Sequence, residues 1–276
     1  RTYETRVRYE TGYKDFHRHS VKADNAIAIE FVGVSEGEVN IKSAKGLLID
    51  GSIKNPNGST TLEAGWDPDP SDGAAPDDGA RIRMTADTAK IEGEQVTLKA
   101  RNGIGGDNAP VRLDVQDGGW VSAASDAGDI RLWEIAGDLA VDQVATTGMV
   151  TIEAQGDLLA YHPASLILGN RVELISSTGG IGSDSQWLLV DSAVDIADSE
   201  DAGLAALAPG DIYLHETVGD LYLVSVQSVD GDGNPTGNVS LWAADGSIRE
   251  AEAAGRNRKV GRDHSGSHQC NDHGHA

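Results

Sequence analysis

The sequence predicts an all-β chain wound as a right-handed parallel β-helix, a β-solenoid with loop insertions. Three observations predict it. Short apolar–polar alternations recur along most of the 276 residues, Gly-Asp pairs punctuate them, and a long internal repeat preserves the order of both. Alternation at period two marks a strand with one buried face, and self-similarity at a fixed period marks stacked units. The Gly-Asp-Ile at 128–130 returns at 210–212, and the Gly-Asp-Leu at 137–139 returns at 219–221, both after 82 residues. The Ile-Gly pair that begins at Ile104 returns at Ile181 after 77. Order is kept while spacing drifts, as insertions between coils would produce.

Taken along the chain, residues 1–23 are an entry segment mixing Tyr3, Tyr9, Tyr13 and Phe16 with charges. The β-helical repeat region spans 24–254. In it, Val39, Ile41, Leu47, Ile49, Ile53, Thr61 and Leu62 are read as three short strands of one coil. Residues 66–79, WDPDPSDGAAPDDG, carry Pro68, Pro70 and Pro76 and cannot continue a hydrogen-bonded ladder, so they are read as an exposed loop insertion. Beyond it, strands of about five residues, the usual length, start at Ile130, Leu139, Val150, Ile212, Leu221 and Val239. Their inward positions are Ile130, Leu132, Leu139, Val141, Val150, Ile212, Leu214, Leu221 and Val239. Each Gly-Asp is a corner, because Gly takes positive φ without strain and Asp is expected to bond its own downstream amide. Residues 255–276 lose the periodicity and are read as a disordered polar tail.

Composition narrows the function. Lys and Arg number 22 against 44 Asp and Glu, a net charge of −22. Such a polyanion repels nucleic acid and anionic membranes, both of which bind through cationic surface. No apolar run approaches the ~18 residues of a membrane span. The single Cys270 cannot form an intramolecular disulfide. The chain opens Arg-Thr-Tyr-Glu-Thr-Arg without the apolar core of a signal peptide and reads as a piece of something longer.

The segments Gly-Asp-Ile-Arg-Leu-Trp-Glu (128–134), Gly-Asp-Leu-Ala-Val-Asp-Gln-Val (137–144) and Val-Thr-Ile-Glu-Ala-Gln-Gly-Asp-Leu (150–158) resemble repeats of filamentous-haemagglutinin-like adhesins, the giant bacterial surface exoproteins. Leu-Trp-Ala-Ala-Asp-Gly-Ser-Ile at 241–248 resembles the same step, and the likeness covers about 24–250. The resemblance implies a rigid β-helical shaft, export and surface display, with no catalytic residues to carry over. The family's amino-terminal secretion domain has no counterpart in this sequence.

Several groups have the composition of sites. Asp230, Asp232 and Asn234 alternate oxygen ligands as a calcium loop does, but Pro235 and Leu241 stand where an EF-hand needs Gly and Glu. They are a looser calcium candidate, with a long corner as the plain alternative, and no other cofactor is indicated. Asp67, Asp69, Asp72, Asp77 and Asp78 read as solvated charge, and His264, His268, Cys270, His273 and His275 match no closed metal site. The Gly-rich turns at 103–106 and 179–182 lack the strand–loop–helix setting of a phosphate cradle. His162 and His215 have no evident nucleophile partner, and His215 is expected to face outward. The acids Asp129, Glu134 and Asp142 read as scattered and exposed, not as the matched pair that glycoside hydrolysis needs. Trp133 and Trp242 are expected at the surface, covering the shaft or stacking on sugars.

The sequence thus points to a non-catalytic structural or adhesive shaft segment of a large secreted or surface-exposed bacterial exoprotein, located outside the cell. Its expected partners are neighbouring repeats of the parent protein and host or environmental glycans. The alternatives are a β-helical polysaccharide lyase or hydrolase, a glycan-binding module, and a calcium-stabilised spacer.

Overall fold

The structure, a computed structural model, describes residues 37–65, 78–106, 109–192 and 202–251, with three two-residue strands nearer the start. Those three are β1 (Arg8–Tyr9), β2 (Gly12–Tyr13) and β3 (Phe31–Val32). The strands that follow are β4 (Glu38–Ser43), β5 (Leu47–Ile49), β6 (Ser52–Ala64), β7 (Ile82–Met84), β8 (Lys90–Ile104) and β9 (Val111–Glu134). Then come β10 (Leu139–Ala145), β11 (Met149–Ala154), β12 (Leu158–Ala160), β13 (Leu166–Leu168), β14 (Arg171–Ser176) and β15 (Leu188–Asp191). The last five are β16 (Gly203–Ala208), β17 (Ile212–Glu216), β18 (Leu221–Ser228), β19 (Val239–Ala243) and β20 (Ile248–Glu250). No helix among the described residues is long and apolar enough to cross a membrane.

Every pairing between named strands from β3 onward is parallel. The fold is a β-solenoid of about eight turns. Two ladders trace its length. On the first face, Ile41, Leu62, Leu98, Ala123, Val144, Ile167, Val190, Glu216 and Ala243 succeed one another through paired strands. On the second, the succession is Leu47, Ile82, Ile104, Ile130, Val150, Val172, Leu204, Leu223 and Glu250. A third, shorter face stacks Ile53, Ile91 and Leu113. The aliphatic side chains between the faces form one continuous core.

The third face ends at Leu113. Ile135 N donates to Leu113 O at 3.0 Å, and Glu134 Oε2 accepts the Val115 N–H at 2.9 Å. By Leu139 the chain is back on the first face, so the solenoid narrows from three faces per turn to two between 134 and 139. This explains a feature of the 82-residue repeat. Ile130 lies on the second face and its counterpart Ile212 on the first, so one repeat spans three and a half turns. Equivalent residues stand on opposite walls of the core.

Of the expected inward positions, Ile130, Leu132, Leu139, Val141, Val150, Ile212, Leu214 and Leu221 are buried. Val239 is the exception. It continues the rung of Ile212, yet it is 43 % exposed because it belongs to the last described coil. Three further readings change. Thr61 and Leu62 begin the second turn, since Leu62 stacks on Ile41. β6, β8 and β9 run 13, 15 and 24 residues, far beyond five, because the chain rounds corners without leaving the ladder. Gly118 and Gly128, at φ of 81° and 76°, let β9 do so twice.

The corners also bond differently from the expectation of local Asx turns. Asp138 Oδ1 accepts Asp157 N at 2.7 Å, Asp157 Oδ1 accepts Gly180 N at 2.6 Å, and Asp211 Oδ1 accepts Asn238 N at 2.7 Å. Asp129 and Asp220 do the same for Met149 N and Ser247 N. Each carboxylate therefore stitches its coil to the next. The glycines are needed for close approach as well, since a Cβ on Gly156 would lie 2.7 Å from Gly137 O and against the Asp138 carboxylate. Gly156→Ala is expected to cost about 1–3 kcal/mol, the range for overpacking, read as a lower urea midpoint. Asp157→Ala should cost less, about 1 kcal/mol for one hydrogen bond at a partly exposed site.

Apart from β1 and β2, the entry segment lies outside the described residues, as do the loop at 66–77, the tail from 252 and all five members of the histidine–cysteine set.

Candidate functional site

With the interior filled by aliphatic side chains, recognition chemistry is carried by the outward positions of the strands. On the first face the outward ladder runs Gln143, Leu166, Leu189, His215 and Trp242. Alternation aims these side chains away from the core while their neighbours Val144, Ile167 and Val190 point in. His215 is half-buried and stacks on Trp242, ring centroids 4.2 Å apart and planes 11° from parallel. Trp187 meets Tyr213 edge-on at 5.8 Å and Trp242 at 6.4 Å. Trp242 remains 55 % exposed. Trp133, the other surface tryptophan singled out by the sequence, lies under the Arg112 guanidinium at 5.5 Å.

Beside this aromatic group is a recess of about 400 Å³ whose walls include Asp157, Asp184, Asp211 and Tyr213 over a floor of Gly179, Gly180, Gly182 and Gly210. Tyr213 Oη donates to Asp211 Oδ2 at 3.3 Å. Partial desolvation, with the charges of Asp211 and Asp184, pushes the phenol above its ordinary range. Carboxylate acceptors, a phenol and aromatic faces can hold hydroxyl-rich or cationic groups and repel anionic ones.

A second constellation was not legible in the sequence. Asp142 Oδ1 lies 2.8 Å from His162 Nε2, and Ser165 Oγ lies 3.5 Å from His162 Nδ1. The residue types match a nucleophilic triad, but their bonding does not. His162 Nδ1 already accepts Ala164 N at 3.1 Å, and Ser165 Oγ accepts His162 N at 3.0 Å. Ser165 is wholly buried. The Nδ1 lone pair is engaged by the Ala164 N–H, and the serine hydroxyl lies at the 3.5 Å limit from it, so Nδ1 is not set to take the serine proton. The trio clasps a turn, and the Tyr161 ring lies 5.8 Å from His162 and 5.7 Å from Trp120.

The calcium candidates Asp230, Asp232 and Asn234 meet in one corner. Asp230 Oδ1 accepts Asp232 N at 3.0 Å and Asn234 N at 2.8 Å, and Asn234 Nδ2 donates to Oδ2 at 3.1 Å. The Asn234 backbone and side-chain N–H groups hold the Asp230 carboxyl below its ordinary range. Asp230 and Asn234 thus bond each other across the corner, and no group of three His, Cys, Asp or Glu set to hold a metal occurs among the described residues.

Glu134 is a correction, since it is fully buried instead of exposed. Its repeat counterpart Glu216, 82 residues on, is equally buried. Glu134 accepts Val115 N and, at 3.1 Å, Ala136 N. Glu216 accepts Ser192 N at 3.0 Å and Ser192 Oγ at 2.6 Å. Glu134 thus holds one amide inside β9 and one just past its end, and Glu216 holds the amide just past β15. Burial raises each carboxyl to about 7, outweighing the donors that pull it down.

No family model, no curated protein and no solved structure matches this chain.

Proposed function

We propose that the chain is a non-catalytic shaft segment of a large secreted or surface-exposed bacterial exoprotein, working outside the cell. The observation that carries this reading is the pair of nine-position ladders around a filled aliphatic core. Such a rod transmits position along its axis, each coil advancing about 4.8 Å, while its outer side chains are available for contact. The resemblance to filamentous-haemagglutinin-like repeats supports the same reading. The repeats that adjoin it in the parent protein are its first partners. The exposed aromatic face at Trp242 with the recess beside Asp211 favours a second role, contact with neutral glycans.

Insertion of the segment between a cell-surface anchor and an epitope tag tests the mechanical role. The tag is expected to move outward by about 35–40 Å, eight coils at the strand spacing, by localisation of a bound probe. An unmoved tag, or turnover of pectin, alginate or hyaluronan by the purified chain, would contradict it. For the glycan role, Trp242→Ala is expected to weaken retention on a neutral glycan array about tenfold, the effect of losing one stacking face. Equal retention by the variant would remove the aromatic face from the account.

A further inference from the structure

Outward aromatic rings are unevenly placed around this solenoid. Of those between residues 109 and 251, only Trp133 and Tyr222 lie on the second face. Trp120 opens the first-face run of β9, and Tyr161 stands in the turn between β12 and β13. Trp187 immediately precedes β15, and Tyr213 lies in β17. Trp120 meets Tyr161 at 5.7 Å, and Trp187 meets Tyr213 at 5.8 Å. Both pairs lie inside the stack, on coils that have a described coil to either side. Four coil steps carry the first face from Ala123, in the Trp120 coil, to Glu216, in the Tyr213 coil. At the strand spacing this row is about 19 Å long. The rings are open to contact: Tyr161 is 45 % exposed, and Trp120, Trp187 and Tyr213 are half-buried.

Charge on this face is one-sided. The first-face stretches 119–127, 137–147, 156–169, 179–192 and 210–217 hold no Lys or Arg. Their carboxylates flank both ring pairs. Asp142 pairs with His162, whose ring lies 5.8 Å from Tyr161, and Asp157, Asp184 and Asp211 surround the recess at Tyr213. Phosphate, sulfate or uronate groups would meet uncompensated like charge here. Sugar hydroxyls instead donate to such carboxylates, and the apolar faces of pyranose rings lie on aromatic ones.

We propose that the first face is a track for an extended, neutral, β-linked glycan laid along the solenoid axis. This rests on the neutral-glycan role proposed above and gives that role a length and a direction. Trp187, Tyr213 and the recess hold one end of the bound chain, and Trp120 and Tyr161 hold the other. The coil spacing of about 4.8 Å is close to the advance of one sugar unit in such a chain. Sugars and coils therefore stay in step along the row. A compact ligand would touch one ring pair, whereas a chain parallel to the axis reaches both.

Titration of the full chain with cello-oligosaccharides, from the disaccharide to the hexasaccharide, tests it by tryptophan fluorescence and calorimetry. Affinity is expected to rise at least about tenfold over the series, the effect of engaging a second stacking site. Trp120→Ala is expected to flatten that rise, while Tyr222→Ala, on the second face, leaves it intact. The length series on the unmodified chain reads the track independently of any variant's folding. Oligogalacturonates of the same lengths are expected not to bind at low salt. Binding that does not depend on length would overturn the track and leave the glycan role standing, whereas no binding at any length would remove both. Equal affinity for the oligogalacturonates would overturn the assignment of a neutral ligand.

Discussion

Replacing Leu158 with aspartate is expected to melt the middle of the solenoid, while the same charge placed at Val239 leaves it folded. Both residues stand on one rung series, Leu139, Leu158, Ile181, Ile212 and Val239. Leu158 is fully buried and Val239 is 43 % exposed. Losing the buried leucine removes about 1.5–3 kcal/mol. An unpaired carboxylate in the aliphatic core adds at least as much again. The sum is at least about 3 kcal/mol, a large part of the 5–15 kcal/mol by which domains are stable. At Val239 the carboxylate stays in water and the loss should remain within about 1 kcal/mol. Urea unfolding followed by circular dichroism measures both, and equal costs at the two sites would contradict the ladder assignment.

Stability is also expected to fall as pH rises from about 4.5 to above 7, opposite to the usual behaviour of paired surface carboxylates. Glu134 and Glu216 are raised from 4.5 to about 7, burial being the principal cause. Lys90 and the donors Val115 and Ala136 act against the rise at Glu134, while Asp114 there and Asp191 at Glu216 reinforce it. In this window the folded chain holds protons that the unfolded chain has released, so the derivative of unfolding free energy with pH is negative. The contribution is fully present below the unfolded value and is lost as pH passes the folded one. A shift of this size corresponds to about 3 kcal/mol per group. Asp230, lowered by Asn234, contributes in the opposite sense and at lower pH. Replacing both glutamates by glutamine should flatten the profile between pH 4.5 and 8, even where it lowers the plateau through a lost acceptor. A wild-type profile that is flat or rising across that range would show that these carboxylates are not the buried groups described.

The walls of the solenoid were legible in the sequence because alternation is a direct consequence of the pleat. Ile130, Leu139 and Ile212 are inward for the reason their spacing predicts. What alternation does not encode is where a turn closes. Thr61 and Leu62 belong to the next coil, and 82 residues prove to be a half-integral number of turns, because the third face ends after Leu113. The Gly-Asp corners were legible as corners, but not as stitches. A carboxylate that bonds an amide 19 to 27 residues downstream has no local signature. Glu134 and Glu216 were hidden by their residue type, since glutamate is rarely buried without a partner. Their shared place in the repeat was the available signal. The clasp of Asp142, His162 and Ser165 depends on β10 and β12 being neighbours, which only the coil register reveals.

Amide hydrogen exchange tests the stacked-coil account most directly. Ladder amides from β10 through β17 are flanked by a coil on each side and are expected to exchange slowest, at rates set by global unfolding. Those of β19 and β20, with one flanking coil among the described residues, should exchange markedly faster, and the step should fall between β17 and β19. Fast exchange in the central ladders, or protection as strong at Ala243 as at Val150, would contradict this stack of parallel coils.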